Sequence, residues 1–371
     1  LTASEAAQAI ARGWSKVRPK DSIELLPITD GGDGFGEAMG RLLRAKVVST
    51  PTVDAAHRPC KAKWWWESTT KTAIIESASA IGLAMLPPKR FHPFELDTFG
   101  LGRLIEAAAG KGATHCLIGI GGSATNDGGF GLAHALGWEF VDSDGWVIER
   151  WTELLKLKHI KPPQRTRSFR ELSVAVDVQN PLLGQRGATR IYGPQKGVRP
   201  KDFEMAERCL RRLAAVAMME LGLDFAKVSG AGAAGGLGFG LATFAGGKLE
   251  PGFELFAKQS DLDRQLRRAD LVITGEGCID HSTLMGKGVG QIAKKCNALK
   301  IPCVAVAGFA HSDTRLRGAF ERVHALLETT SKREAMSRAA YWLERLAQHV
   351  ASSSSTDNQE VPMRYPGLIC P

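Results

Sequence analysis

Residues 116–129 read C-L-I-G-I-G-G-S-A-T-N-D-G-G, and the succession of residue types in them sets the class of fold. A short apolar run, 116–120, passes into a loop in which five of eleven residues (119–129) are glycine, and the loop opens the apolar helical pattern of 131–136. Strand, glycine loop and helix in that order form the beat of a parallel α/β sheet, whose ligands sit beyond the carboxyl ends of the strands. A helix N-terminus placed there offers unpaired N–H groups and positive potential to an anion. Ser123, Thr125 and Asn126 add side-chain donors, and one of them alone would serve as a cap. The surplus points to anion binding rather than to a turn.

The same beat recurs at 23–28 with a helix over 35–43, and again at 271–274, 289–297, 303–307, 314–320 and 323–327. The expectation is an α/β fold of two domains, one flavodoxin-like with a mainly parallel sheet. Between these runs the texture changes. Residues 62–67 and 73–77 are strand-like, 161–170 is rich in Pro and Arg, and 231–247 is dense in glycine. They suggest a smaller mixed α/β domain inserted into the first, with 1–54, 94–137 and 262–350 forming the flavodoxin-like domain and 55–93 and 138–261 the insertion. Thr2 and Glu5 make a capping box for an amphipathic helix through about residue 17. A last amphipathic helix, 333–350, precedes a Ser- and Pro-containing tail, 351–371, whose composition predicts disorder.

Composition sets the outer limits. The chain has 371 residues, 44% hydrophobic and 23% charged, which excludes a disordered chain or a small disulfide scaffold. Its seven cysteines form no C-x-x-C pair, as expected of reduced thiols in a cytoplasmic protein. No apolar run approaches the roughly 20 residues of a membrane span. The net charge of +9 is spread without a dense basic block, so nucleic acid is not an expected partner.

Four further clusters combine glycine with chemistry-bearing side chains. In Asp30-Gly31-Gly32-Asp33-Gly34 the glycines let successive N–H groups face a phosphate, and Asp30 and Asp33 would manage a metal or a substrate proton. Taken alone, this stretch also fits a strand-to-helix turn capped by Asp33. Asp177, Asn180 and Lys196 form the next cluster, with Asp177 ending an apolar run and Lys196 read as a mobile cation on a loop near Gly193 and Gly197. A solvated loop lysine fits that position equally.

Residues 229–235 contain G-x-G-x-x-G, a dinucleotide fingerprint, but no strand leads into it, so Gly232 and Gly235 are better placed to approach another element or a nucleotide closely. The last cluster, 274–280, carries Glu276 and Asp280 and is followed by Gly286-Lys287-Gly288, which is not a P-loop. His281 lies beside Asp280 and could serve as a base, though a lone His is more often packed or solvated, and Cys278 lacks the His partner that nucleophilic catalysis needs. Trp64, Trp65 and Trp66 alternate across a strand and predict core packing with one exposed ring.

In this order the segments 30–34, 119–129, 177–181 with 193–197 (G-P-Q-K-G), 230–238 (G-A-G-A-A-G-G-L-G) and 274–280 (T-G-E-G-C-I-D) resemble the bacterial glycerate kinase type 1 family over about residues 2–310. The resemblance implies ATP-dependent, Mg²⁺-assisted phosphorylation of D-glycerate to phosphoglycerate in a cleft between two α/β domains. It places Asp30, Asp177, Lys196 and Lys287 in the signature loops, where Asp30 or Asp177 would orient or deprotonate the glycerate hydroxyl and Lys196 or Lys287 would offset charge on the transferred phosphoryl group. Gly31, Gly32, Asp33, Gly121, Gly122, Ser123, Asn126, Asp127, Asn180, Gly232 and Gly235 are the expected substrate- or nucleotide-binding residues, and Glu276 or Asp280 would hold the metal. The partners implied are glycerate and ATP, with a homodimer left open.

The chain also departs from the family. It opens on the helix at Thr2, without the family's first strand and its Asp-Ser-Phe/Tyr-Lys loop, and so reads as truncated. Cys278 replaces an Arg, residues 54–58 replace T-G-P-L-G, and 100–103 replace G-T-G-E. Two alternatives follow: a kinase for a related small hydroxy acid, and a catalytically weakened ligand-binding homologue.

Overall fold

Strands form where short apolar runs are bounded by loops, and in chain order these are β1 (Ile23–Leu25), β2 (Lys46–Val53), β3 (Pro59–Glu67), β4 (Thr72–Glu76), β5 (His115–Gly119), β6 (Glu139–Val141), β7 (His159–Lys161), β8 (Glu171–Val176), β9 (Lys248–Pro251), β10 (Val272–Ile279), β11 (Cys303–Ala310), β12 (Arg322–Ala325) and β13 (Gly367–Cys370). The structure is a computed structural model and describes residues 1–164, 169–285, 288–311, 314–353 and 367–370. The chain divides into two units, Leu1–Thr29 with Phe256–Pro371, and Asp30–Leu255.

In the first unit β1, β13, β10, β11 and β12 lie side by side in that order, all parallel. Helix Ala3–Val17 begins with the expected capping box: the Glu5 amide donates to Thr2 Oγ1 and the Thr2 amide to Glu5 Oε2. Its apolar stripe, Ile10 and Trp14, packs with Leu343, Leu346 and Val350 of helix Ala339–Ser353 and with Ile273 and Val306 of the sheet. The strand positions are those of the doubly wound 2-1-3-4-5 order of flavodoxin-like sheets, with β13 in the first-strand slot.

That slot corrects the disorder expected of residues 351–371 at its two described pieces, while 354–366 and 371 lie outside the described residues. Residues 351–353 end a helix, and Gly367–Cys370 form a strand whose Leu368 and Ile369 are 1% and 2% exposed. The averaged composition of the tail is polar, but a central strand needs only four extended residues, and G-L-I-C supplies two large aliphatic side chains. An Ile369→Ala protein is therefore expected to lose about 3 kcal/mol of stability in urea unfolding. A loss below about 0.5 kcal/mol, the level of an ordinary surface change, would remove β13 from the core.

The second unit holds a six-stranded mixed sheet in the order β2-β3-β4-β5-β8-β9. β2, β3 and β4 meander antiparallel, and β4, β5, β8 and β9 run parallel. β6 and β7 make a separate ribbon. The expected boundaries are thereby corrected: 94–137 was grouped with 1–54 and 262–350, yet β5 pairs with β4 and β8, and the inserted unit is one continuous run and the longer of the two. Buried parallel strands look alike in any sheet, so local pattern does not say which neighbour a strand takes.

None of the three tryptophans is exposed. Trp64 is buried and donates to Thr50 Oγ1, while Trp65 and Trp66 are half-buried, with Trp65 lying flat on Gly36 of helix Phe35–Leu42.

Candidate active site

In the second unit the loop at residues 30–34 and those that follow β4 and β5 are tied together by backbone hydrogen bonds. The Gly121 amide donates to Gly31 O at 3.0 Å, and the Ser77 amide to Gly119 O at 2.9 Å. Glu76, the last residue of β4, accepts from the amides of Gly34 (3.1 Å) and Gly36 (2.9 Å), the N-terminal donors of helix Phe35–Leu42. A carboxylate at a helix N-terminus both satisfies orphan donors and meets the positive end of the helix dipole. Sequence reading passed over Glu76. The signal was one acidic residue closing the run T-A-I-I-E.

Gly252, the first residue of helix Gly252–Ser260, presses on the first loop from the other side. A Cβ there would lie 1.6 Å from Asp30 O. This residue too escaped sequence reading, because nothing local marks it.

Asp177 follows directly on β8, and its side chain lies against that of Asp30. Burial, then the Asp30 charge and a hydrogen bond between the two side chains, raise the Asp177 carboxyl to about 7. The pair thus holds a proton near neutral pH. Asp30 is half-buried and accepts from the Gly32 amide at 3.2 Å, whereas Asp177 keeps a solvent-accessible side. Such a pair can take a proton from an alcohol that reaches it.

The second loop divides into an open and a covered part. Gly121 and Gly122 are accessible, with Asp33, itself exposed, beside Gly122; residues 123–130 are buried. Asp127 is fully buried and accepts from the Thr98 amide, Thr98 Oγ1 and the amides of Gly129 and Gly131. Burial raises it to about 6 in spite of these donors. It pins helix Phe99–Gly110 to helix Phe130–Ala135. Asn126 is also fully buried. Its Nδ2 donates to Thr189 Oγ1, and its Oδ1 has no partner among the described residues.

Lys196 is not the mobile loop cation that its neighbouring glycines suggested. It is the last residue of helix Ala188–Lys196, is 7% exposed, and donates from Nζ to Thr125 O (2.7 Å) and Ser123 Oγ (3.2 Å). Burial lowers it to about 7, with the Asp127 charge opposing the shift. A long aliphatic stem makes such burial feasible, and the loop carbonyl rewards it. Ser123 in turn donates to Ala234 O.

Gly232 and Gly235 are buried as well. Cβ atoms on them would lie 2.2 Å from Pro181 O and 2.0 Å from Thr125 O, so the glycine-rich segment is a packing surface for the loops after β5 and β8. Asn180 donates to Arg186 O and accepts from the Tyr192 hydroxyl.

In the first unit, Glu276 lies on β10 and Asp280 just beyond it. Glu276 Oε1 accepts from Thr283 Oγ1, and Asp280 Oδ1 accepts from the Ser282 amide and hydroxyl. Lys287 lies outside the described residues. Among the described residues no three His, Cys, Asp or Glu gather as a metal cage, and no helix is long and apolar enough to cross a membrane. Glu276 and Asp280 are both linked to Thr283, Glu276 through the Thr283 hydroxyl and Asp280 through its own amide, and their carboxylates are of the hard-oxygen type that Mg²⁺ takes, one or two at a time, with water and substrate phosphate completing its shell.

The chain is similar to known proteins along most of its length. The sequence model described as "Glycerate kinase family" matches residues 1–355. A glycerate kinase of Halalkalibacterium halodurans is 35% identical over 368 residues, covering 96% of this chain and 95% of that protein. The glycerate 2-kinase of Escherichia coli is 37% identical over 322 residues, 84% of this chain and 83% of its own. A crystal structure from Salmonella typhimurium LT2, assigned as glycerate kinase 2, superposes with a TM-score of 0.84 at 33% identity, covering 95% of this chain and 94% of that one.

Proposed function

Since the chain belongs to the glycerate kinase family and is thus a phosphotransferase, we propose that it phosphorylates D-glycerate to phosphoglycerate with ATP as donor, in the cytoplasm. The observation that carries this reading is the family match over residues 1–355. The closeness of Asp177 to Asp30 supports a reading of the proton step.

Asp177 is the base that takes the proton of the attacking glycerate hydroxyl. Its accessible side admits substrate, and partial burial together with the Asp30 charge keeps its basicity near neutrality, where a general base works best. The exposed backbone at Gly122, in a loop that the Gly121 amide ties to Gly31 O beside Gly32, receives an anionic group, while Asp33 and Asn180 border the same strand ends. Lys196 and Asp127 act from beneath. Lys196 holds the loop carbonyl of Thr125, and Asp127 holds the helices that frame it, so both keep donors in place and neither meets the substrate. The role for Lys287 rests on the family resemblance alone. Glu276 and Asp280 are the residues that would hold Mg²⁺, which when bound supplies charge neutralisation at nucleotide phosphates.

A coupled assay of ADP release with D-glycerate, ATP and Mg²⁺ tests the reading, with product analysis to assign the hydroxyl. Turnover at an ordinary kinase rate of about 1–100 s⁻¹ is expected. ADP release that is indifferent to D-glycerate would favour the weakened-homologue alternative, and turnover with another small hydroxy acid in preference would favour the first.

A further inference from the structure

Tyr192 carries a hydroxyl beside the loop of Asp177 that the proton step leaves unused. The residue is half-buried on helix Ala188–Lys196, whose Thr189 accepts from Asn126 and whose Lys196 donates to Thr125 O. The helix is thus held at both ends by the loop after β5, and the phenol has a fixed place. Its hydroxyl donates to Asn180 Oδ1 at 2.6 Å, and Asn180 Nδ2 donates to Arg186 O at 2.7 Å. Asn180 and Asp177 share the loop that follows β8. Burial, and after it the Asp177 charge, raise the Tyr192 phenol above its ordinary value, so the hydroxyl keeps its proton at neutral pH and lies within the field of that carboxylate.

The direction of each bond in this chain is determined. Arg186 O is a carbonyl and only accepts, so the Asn180 amide turns Nδ2 toward it and Oδ1 toward the phenol. Oδ1 also only accepts, which commits the one phenolic proton to Asn180. What Tyr192 retains for a ligand is lone pairs, and Asp177, as the base, accepts as well. Two acceptors at one site match a ligand with two hydroxyl donors, and a ligand with only one leaves an acceptor unpaired. We infer that Tyr192 accepts a hydrogen bond from the second hydroxyl of an acid whose first hydroxyl faces Asp177, and so selects a vicinal diol acid over acids with a single hydroxyl. The inference rests on the kinase reading for the role of Asp177, and the residues it joins all lie in the second unit.

Calorimetric binding of D-glycerate, D-lactate and 3-hydroxypropionate to the wild type and to Tyr192→Phe tests this. Phenylalanine keeps the ring and removes only the hydroxyl. D-Lactate has the secondary hydroxyl alone and 3-hydroxypropionate the primary one alone, so one of the two analogues keeps the hydroxyl that Tyr192 reads. Tyr192→Phe is expected to weaken D-glycerate about tenfold, to weaken that analogue by a similar factor, and to leave the other within about twofold. Loosening of Asn180 alone, a purely structural effect, would act on all three acids alike. Equal losses for all three, or no loss above about twofold for any, overturns the inference. The expected split in a protein that releases no ADP with D-glycerate would overturn the functional reading and leave the role of Tyr192 standing, whereas turnover of D-glycerate without the split would do the reverse.

Discussion

Replacing Asp177 by Asn is expected to lower kcat by about 10²- to 10⁴-fold, the usual worth of a positioned general base, with the KM for ATP nearly unchanged. The isosteric amide keeps the shape of the side chain beside Asp30 and removes only its ability to accept a proton. The pH profile makes the test specific. In the wild type the base is active when deprotonated, so kcat/KM should rise with pH through about 7 and then level. In the variant that limb disappears.

Stability gives an independent check with its own sign. Folding raises the Asp177 pKa above its unfolded value, so between about 4 and about 7 the native state binds more protons than the unfolded one. The contribution is whole below the unfolded pKa and is lost as pH rises through the folded value, where two facing carboxylates repel. Asp177→Asn should therefore gain in thermal midpoint relative to wild type as pH goes from 5 to 8. An Asn protein with full turnover would remove Asp177 from catalysis, and one whose relative stability is flat with pH would remove the shared proton.

The second large effect is expected at a residue with no functional group. Gly252→Ala places a methyl where Asp30 O lies at 1.6 Å and Asp30 C at 2.1 Å. Backbone cannot swing aside as the end of a flexible side chain does, so either Asp30 or the start of helix Gly252–Ser260 must move by an ångström or more. Misplacement on that scale costs about 10²-fold in rate when it reaches a reacting group. Overpacking of this kind also costs about 1–3 kcal/mol in stability.

Its signature is electrostatic. If Asp30 is pushed away, Asp177 loses the neighbour that holds its pKa up, and the rising limb of kcat/KM moves to lower pH. Gly318→Ala, where an added Cβ meets nothing within 4 Å, serves as the control and should leave turnover intact. A Gly252→Ala enzyme with an unmoved limb would show that Asp30 has not been displaced.

Both predictions turn on distances that no local reading of the chain supplies. Residues 116–129 do reveal a strand, a glycine loop and a helix, because the apolar run and the glycine density lie within fifteen residues of one another. The capping box at Thr2 and Glu5 is legible for the same reason, and helix Ala3–Val17 begins where they place it. The signature loops are equally legible, and their likeness to one family is borne out by the match over residues 1–355. What reading along the chain could not sort is which loop residues face outward. Lys196 and Asp127 carry the charges that suggest a binding site, and both are buried in the frame beneath it; Glu76 and Gly252 were passed over, and both hold the loop of Asp30 in position.

By itself, then, the amino-acid sequence determined the class of fold, the places where glycine loops follow strands, and the family to which those loops belong. These follow from periodicity and backbone freedom, which act over a few residues. Only the tertiary structure decided that β5 joins β4 and β8, that four residues near the far end of the chain form a central strand, and that the Asp177 side chain lies against Asp30. Strand pairing, burial and carboxylate coupling are set by contacts between residues distant along the chain, and a side chain's charge state depends on what the fold brings against it.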